Sequence, residues 1–322
     1  MTGDGESNDG GALRAALDDA FPAVQFAMAY GSGVFKQKNH DSSTSMIDLV
    51  FAVDDPLAWH TENLARNASH YSFLQYFGAD AITRVQENYG AGIYYNTLVP
   101  LASAAIGNRL IKYGVVSTDT LCRDLTDWSS LYLSGRMHKP VSILHATDRV
   151  HHASALNLSH ALHYALLCLP EKFTDMDLFM KIAGISYLGD FRMTFGENPR
   201  KVRNIVEGNY DAFRAVYRRK LQNSSFVSPS IHDKSTLVAN TTDADARLEL
   251  LRSLPSNVVE RLGPIERLAE QPQTKKRVQK AVSSIVHRYS RTQSIKGIVT
   301  AGGVKTVVYV AQKLQRTYFK RR

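Results

Sequence analysis

One carboxylate stands inside an apolar run. Asp48 lies in MIDLVFAV (46–53), a segment rich in β-branched and aromatic residues that predicts a buried strand. An ionised carboxylate there costs several kcal/mol unless something offsets its charge. Upstream, Gly31-Ser32-Gly33 closes a shorter apolar segment, Val24 to Ala29. A strand that runs into such a turn can offer backbone N–H groups and a hydroxyl to a phosphate. Mg²⁺ bridging phosphate oxygens to Asp48 would give the charge a reason. The plainer alternative is a tight hairpin with Asp48 exposed at its edge.

Other side chains extend this chemistry. Asp55-Pro56 reads as an N-cap followed by a proline at the first helical position. Along that helix, spacings of three, four and three put His60, Asn63, Asn67 and His70 within about 80° of one face. Such a face either lines a polar pocket, with hydrogen bonds to base, ribose or phosphate, or is solvated. His60 and His70 are ten residues apart, too far to share one zinc ion. One carboxylate holds Mg²⁺ poorly, so a second ligand is expected, and Asp190, Asp55 and Asp124 are the candidates. Asp190, polar in the apolar stretch LGDFRM (188–193), is preferred, although Arg192 is an alternative partner for it. Lys112, Arg136 and Lys139 fall at the edges of strand candidates and can meet phosphate charge. His151, His152, His160 and His163 read as helix-surface residues.

The elements that must position these groups alternate in the first half. A helix is predicted over Ala12–Phe21 and strands over Val24–Ala29 and Ile47–Val53. A helix from Leu57 to about Phe77 and strands over Leu110–Val116 and Val141–His145 follow. Helices are expected from about Ala153 to Leu169, Asp175 to Ser186 and Pro199 to Gln222. The Ser-, Thr-, Asn- and Asp-rich stretch 223–245 reads as a linker, and helical patterning resumes at Ala246. The expected organisation is a disordered segment 1–11, an α/β domain 12–150, a helical domain 151–222, the linker, and a C-terminal helical region 246–322.

Of 322 residues, 44% are hydrophobic and 21% charged, the balance of a globular chain with a core. No apolar run approaches the ~18 residues of a membrane span. Two cysteines are too few for a disulfide framework. The net charge of +9 is unevenly spread. From Lys275 onward there are thirteen Lys or Arg and no acid, while the preceding 274 residues carry 26 basic against 30 acidic side chains. At helical periodicity Val304, Val307, Val308, Ala311, Leu314 and Tyr318 share one arc and Lys305, Lys313, Arg316 and Lys320 another. That is the pattern of a basic amphipathic helix lying on an anionic membrane surface. The Gly-, Asp- and Glu-rich start of the chain shows no secretory or typical transit pattern.

The order strand, Gly-Ser, spacer, apolar strand with Asp resembles the polymerase-beta type of nucleotidyltransferase. In that superfamily the second strand usually reads Asp-x-Asp; here Met46 stands at the first position. A narrower resemblance accommodates the departure. YGSGVFKQ (30–37), MIDLVFAV (46–53), WHTENLARNASHYS (59–72), KYGVVS (112–117), LYLSGRMHKPV (131–141), GISYLGDFRM (184–193) and RTQSIKGIVTAGGVK (291–305) are similar to segments of the Tam41/Mmp37 family, mitochondrial phosphatidate cytidylyltransferases. The resemblance implies a mixed-sheet nucleotidyltransferase domain followed by a winged-helix-like helical domain. It implies the reaction of CTP with phosphatidic acid to give CDP-diacylglycerol and pyrophosphate, with Mg²⁺, feeding phosphatidylglycerol and cardiolipin synthesis. It places the protein peripherally on the matrix side of the mitochondrial inner membrane, with no nucleic acid partner. Asp48, Ser32 and Lys139 are then expected at the reacting phosphate. Gly31, Gly33, His60, Asn63, Asn67, His70, Lys112 and Arg136 are expected around the nucleotide. Two other readings use the same residues: a nucleotidyltransferase acting on RNA, and a non-catalytic assembly factor at a membrane.

Overall fold

The computed structural model describes residues 4–31, 33–34, 46–104, 106–195, 199–229, 236–239 and 243–301. These form two compact units. The first takes its residues from 1–121, 141–150 and 291–322, the second from 122–140 and 151–290. The chain therefore crosses between units several times, where consecutive regions 12–150, 151–222 and 246–322 were expected. The reason is that strand Ser142–Ala146 pairs into the first unit's sheet, while 122–140 contributes Trp128 and Leu131 to the second unit's core.

The first unit is built on a five-stranded mixed sheet. Its strands are β1 (Phe26–Tyr30), β2 (Ile47–Val53), β3 (Ile93–Ser103), β4 (Gly107–Ser117) and β5 (Ser142–Ala146), in the order β3-β4-β2-β1-β5. β2 and β4 are parallel; the other neighbours are antiparallel. Along β2, Ile47, Leu49, Phe51 and Val53 join Leu13, Leu17, Phe21 and Trp59 in one apolar layer. Residues 48, 50 and 52 turn to the other face. All of β2 is buried except Asp48, which is partly exposed.

β3 was not foreseen. It holds Pro100, which is tolerated because β3 is an edge strand, where a missing N–H costs no ladder bond. A register shift between Asn96 and Val99, with Leu98 at φ 55°, marks a bulge. The helix expected from Leu57 to Phe77 is shorter, Pro56–Asn67, followed by 3₁₀ turns at Ala68–His70 and Phe73–Phe77 and a separate helix Gly78–Asn88. Asn67 ends it by turning its side-chain amide to the Ala20 carbonyl, and Gly78, at φ 80°, redirects the chain. The N-terminal helix runs Asp4–Ala20, through most of the segment expected to be disordered. Its buried Leu13, Ala16 and Leu17 anchor it, and helix propagates from anchored turns at little further cost.

The C-terminal end of helix Thr274–Ala301 belongs to the first unit. Gln293 accepts from Ala91 N at 2.9 Å and donates to Ile93 O at 3.2 Å. Lys296 Nζ donates to the carbonyls of Gln86 and Tyr89 at 2.9 and 2.8 Å, the last ones of a helix end. The expected single region 246–322 is thus divided between the units.

The second unit is mostly helical. Its core includes Trp128, Leu162, Tyr164, Phe179, Ile182, Phe213, Tyr217, Leu250, Val258 and Ile285. A small antiparallel sheet joins β6 (Lys172–Thr174), β7 (Val227–Pro229) and β8 (Thr236–Ala239) in the order β6-β8-β7. The stretch expected to be a linker thus supplies two strands. Short strands with Ser and Thr facing outward carry too little apolar pattern to stand out in a sequence. Among the described residues no helix is long and apolar enough to cross a membrane.

Candidate functional site

β1 ends at Tyr30, which is the register partner of Asp48 on β2; Asp48 in turn pairs with Lys112 on the parallel strand β4. Register neighbours point to the same face of a sheet, so Tyr30, Asp48 and Lys112 share one. Directly after β1, Gly31 adopts φ 80°, a conformation that disfavours any side chain. A Cβ on Gly31 would lie 3.2 Å from Asp48 Oδ2, and one on Gly33 2.6 Å from the Met46 carbonyl oxygen. The glycines let the turn close down over the start of β2, beside the carboxylate. Lys112 lies with its ammonium 4.6 Å from the centre of the Tyr95 ring, a cation–π contact that limits where the side chain can swing. Tyr95 in turn packs against Gly114, where a Cβ would come within 2.6 Å of its Cε1. Sequence reasoning missed Tyr30, Tyr95 and Gly114. The signal for the last was a glycine inside a strand pattern, KYGVV (112–116), which marks close approach of a neighbour.

These residues fit a divalent cation shared with phosphate. Asp48 supplies a hard oxygen at a partly exposed position, beside a cradle that a Cβ would fill. Among the described residues no group of three His, Cys, Asp or Glu could hold a metal. The remaining ligands would then be substrate oxygens and water, as is usual for Mg²⁺ at a nucleotide. Ser32 lies outside the described residues, as do Lys305, Lys313, Arg316 and Lys320.

The candidates for a second carboxylate ligand are each engaged in hydrogen bonds of the fold. Asp55 caps helix Pro56–Asn67, accepting from Ala58 N at 3.0 Å. Asp124 is buried and saturated. It accepts from the backbone N–H groups of Ser130, Leu131, Leu133 and Ser134 at 2.7 to 2.9 Å and from the hydroxyls of Ser129, Ser130 and Ser134. It organises the 129–134 loop. Asp190 has a side chain only 2% exposed and is clasped by Arg192, whose Nη2 donates at 2.6 Å and Nε at 3.0 and 3.1 Å. The alternative partner is the one realised, because a bidentate guanidinium satisfies a buried carboxylate without a metal.

The polar face of helix Pro56–Asn67 is a second correction. His60 and Asn63 have no exposed surface. Burial pulls the His60 imidazole down to about 4, so the ring is neutral near pH 7. Its Nε2 donates to Gln86 Oε1 at 2.9 Å and its Nδ1 accepts from the Tyr71 hydroxyl at 2.8 Å. Asn63 donates to the hydroxyls of Tyr71 and Tyr113 at 2.8 and 3.0 Å. Asn96 donates to that same Tyr113 hydroxyl at 2.8 Å, and the His70 ring meets it at 3.1 Å. Asn67 donates to Ala20 O and to Asn63 Oδ1. The face expected to line a nucleotide pocket is an internal polar network tying the helix to β3, β4 and the N-terminal helix.

Arg136 and Lys139 belong to the second unit. The Arg136 guanidinium lies 3.9 Å from the Tyr132 ring centre and donates to the Tyr132 carbonyl. Lys139 Nζ donates to Ser186 Oγ at 3.0 Å and to the Gly135 carbonyl. Burial, and then the nearby charges of Arg136 and Lys201, bring the Lys139 ammonium down to about 7. His160 and His163 are not free surface residues: His160 is buried, with Nδ1 2.7 Å from the Ser253 carbonyl, and the half-buried His163 has Nδ1 2.7 Å from Ser253 Oγ, which itself donates to the Leu250 carbonyl.

A mixed sheet flanked by helices, its first strand turning through glycine against a carboxylate on the second, defines an α+β protein of the nucleotidyltransferase class. Comparison with known proteins narrows this. Residues 13–316 match the model of a family described as phosphatidate cytidylyltransferase, mitochondrial. Proteins of that name from Xenopus laevis and Danio rerio are 43% and 44% identical over 310 residues, covering 91% of this chain and 90% of each relative. One from Schizosaccharomyces pombe is 39% identical over 323 residues, covering 91% and 80%. The chain belongs to the Tam41/Mmp37 family.

Proposed function

We propose that this protein is a phosphatidate cytidylyltransferase that joins CTP to phosphatidic acid, giving CDP-diacylglycerol and pyrophosphate. Support comes from the family and from one geometric observation: Gly31, at φ 80°, lies so close to the strand carboxylate that a Cβ on it would stand 3.2 Å from Asp48 Oδ2. A phosphatidate oxygen forms a bond to the α-phosphorus of CTP as the bond from that phosphorus to the β-phosphate bridge breaks. The lipid phosphate is already an anion near neutral pH, so no strong base is required. The demand on the protein is to hold two anions in line and offset their repulsion. Gly31 and Gly33, with Ser32, would receive the triphosphate. Asp48 would hold Mg²⁺, which when bound neutralises phosphate charge. Lys112, on the same face as Asp48, adds a positive charge.

The relatives are named mitochondrial. We place this protein on the matrix side of the inner membrane, held peripherally through the basic segment that includes Lys305, Lys313, Arg316 and Lys320, and feeding phosphatidylglycerol and cardiolipin synthesis. No nucleic acid partner is part of this reading. The test is turnover of CTP by the purified protein with phosphatidate vesicles and Mg²⁺, beside Asp48→Ala. Pyrophosphate release that requires phosphatidate, falling by about 10³-fold in the variant at unchanged thermal stability, is expected. Equal turnover by both proteins would end the assignment.

A further inference from the structure

We infer that the second unit carries a phosphate-binding site of its own, in which Lys201 and Arg192 join Arg136 and Lys139 around the rings of Tyr132 and Tyr187. Three separated segments meet there. Lys139 comes from the stretch after the short helix Ser134–Met137, Tyr187 and Arg192 from the turn following helix Asp175–Gly184, and Lys201 from the start of helix Lys201–Gly208. The first two are in direct contact: a Cβ on Gly135 would lie 2.6 Å from Ser186 Cβ, and Ser186 Oγ accepts from Lys139. The ammonium groups of Lys139 and Lys201 lie 5.5 and 5.4 Å from the centre of one ring, that of Tyr187. Arg136 covers Tyr132, and the Arg192 guanidinium, held by Asp190, feels both Tyr132 and Arg136.

Lys139, Arg136, Arg192, Lys201, Tyr132 and Tyr187 are all partly buried, neither solvated freely nor closed off. Like charges drawn together in this way repel. The Lys139 ammonium is lowered first by burial and then by the charges of Arg136 and Lys201, so the three cations are close enough to act on one another. A solvated surface gains nothing from such convergence, whereas an entering anion relieves it. The ligand chemistry follows from the donors. One guanidinium fixed on an aromatic face, a second held by a carboxylate, and two ammonium groups suit the several oxygens of a phosphate better than a single carboxylate. Two sources could supply it: the phosphomonoester of the lipid acceptor, or the diphosphate end of the nucleotide that leaves. The site rests on the proposed function only for which phosphates are tried.

Titration calorimetry with the full chain tests it, using short-chain soluble phosphatidate in one arm and inorganic pyrophosphate in the other. Lys201→Gln is expected to weaken one of the two at least about tenfold while the other stays within about twofold, and Lys201→Arg to restore most of the affinity. A loss confined to phosphatidate assigns the lipid headgroup; a loss confined to pyrophosphate assigns the leaving group. No loss in either arm overturns the site. So does an equal loss in both, which reports only a change in the general surface field. Neither arm needs turnover, so binding without CDP-diacylglycerol formation would refute the proposed function and leave this site standing.

Discussion

Two carboxylates show how differently this chain treats a buried acid. Asp124 meets seven donors, four of them backbone N–H groups of one loop, and has no exposed surface to offer. Asp48 lies in a strand that is otherwise buried yet keeps part of its surface open, and a Cβ on Gly31 in the turn beside it would come within 3.2 Å of its Oδ2. The first arrangement completes a loop and the second leaves room. A carboxylate satisfied by its own backbone serves the fold, whereas one with exposed surface beside a glycine turn can be reached by a ligand. The acids of the chain divide along this line: Asp55 and Asp190, like Asp124, are engaged in the fold.

Crossing the readouts of the two acids gives the largest effect. Removal of Asp48 is expected to abolish turnover and spare stability, as above. Asp124→Ala is expected to do the opposite, lowering stability by about 3–5 kcal/mol because several buried N–H groups lose their acceptor. Chemical denaturation checks this, and a variant with an unchanged midpoint would dissolve the contrast.

The next effect separates the internal polar network from the site. His60 is held at about 4 against an ordinary value of 6.5. Above pH 6.5 neither state is protonated there. Below it the unfolded chain takes up the proton first, so stability falls progressively between about 6.5 and 4, by up to about 3 kcal/mol from this residue. Urea midpoints measured from pH 7 to 4.5 should show a smaller decline in His60→Gln than in the parent. Part of the decline will remain, because His138 and His163 are also depressed by burial.

Gly31→Ala sharpens the Asp48 side. The left-handed backbone costs about 1 kcal/mol with a Cβ present. The 3.2 Å approach to Asp48 Oδ2 should displace the carboxylate and cut turnover about tenfold, more than the stability loss explains. Parallel melting and rate measurements on one preparation decide it. The smallest effect is expected from Asp55→Ala: loss of one helix cap, about 1 kcal/mol, with turnover per folded molecule unchanged. A collapse of turnover in that variant would return Asp55 to the list of metal ligands.

Much of the fold was legible where local chemistry acts alone. The alternating run at 47–53, the Asp55-Pro56 helix start and the glycine turn are short-range patterns, and each appears at its expected place. β3 was hidden because its proline is harmless only at a sheet edge, and edges are decided by the order of strands. The polar face of helix Pro56–Asn67 was visible as a stripe. Periodicity says which residues share a face; it does not say that Tyr71, Gln86, Asn96 and Tyr113 stand opposite them.

The sequence by itself determined the family and the pairing of a glycine turn with one strand carboxylate, because both are carried by contiguous residues. It determined as well that the basic charge gathers at the C-terminal end. Tertiary structure alone decided which acids are buried under the donors of the fold and which keep exposed surface. A carboxylate's role depends on the donors brought to it from distant parts of the chain, and those are set by packing rather than by spacing.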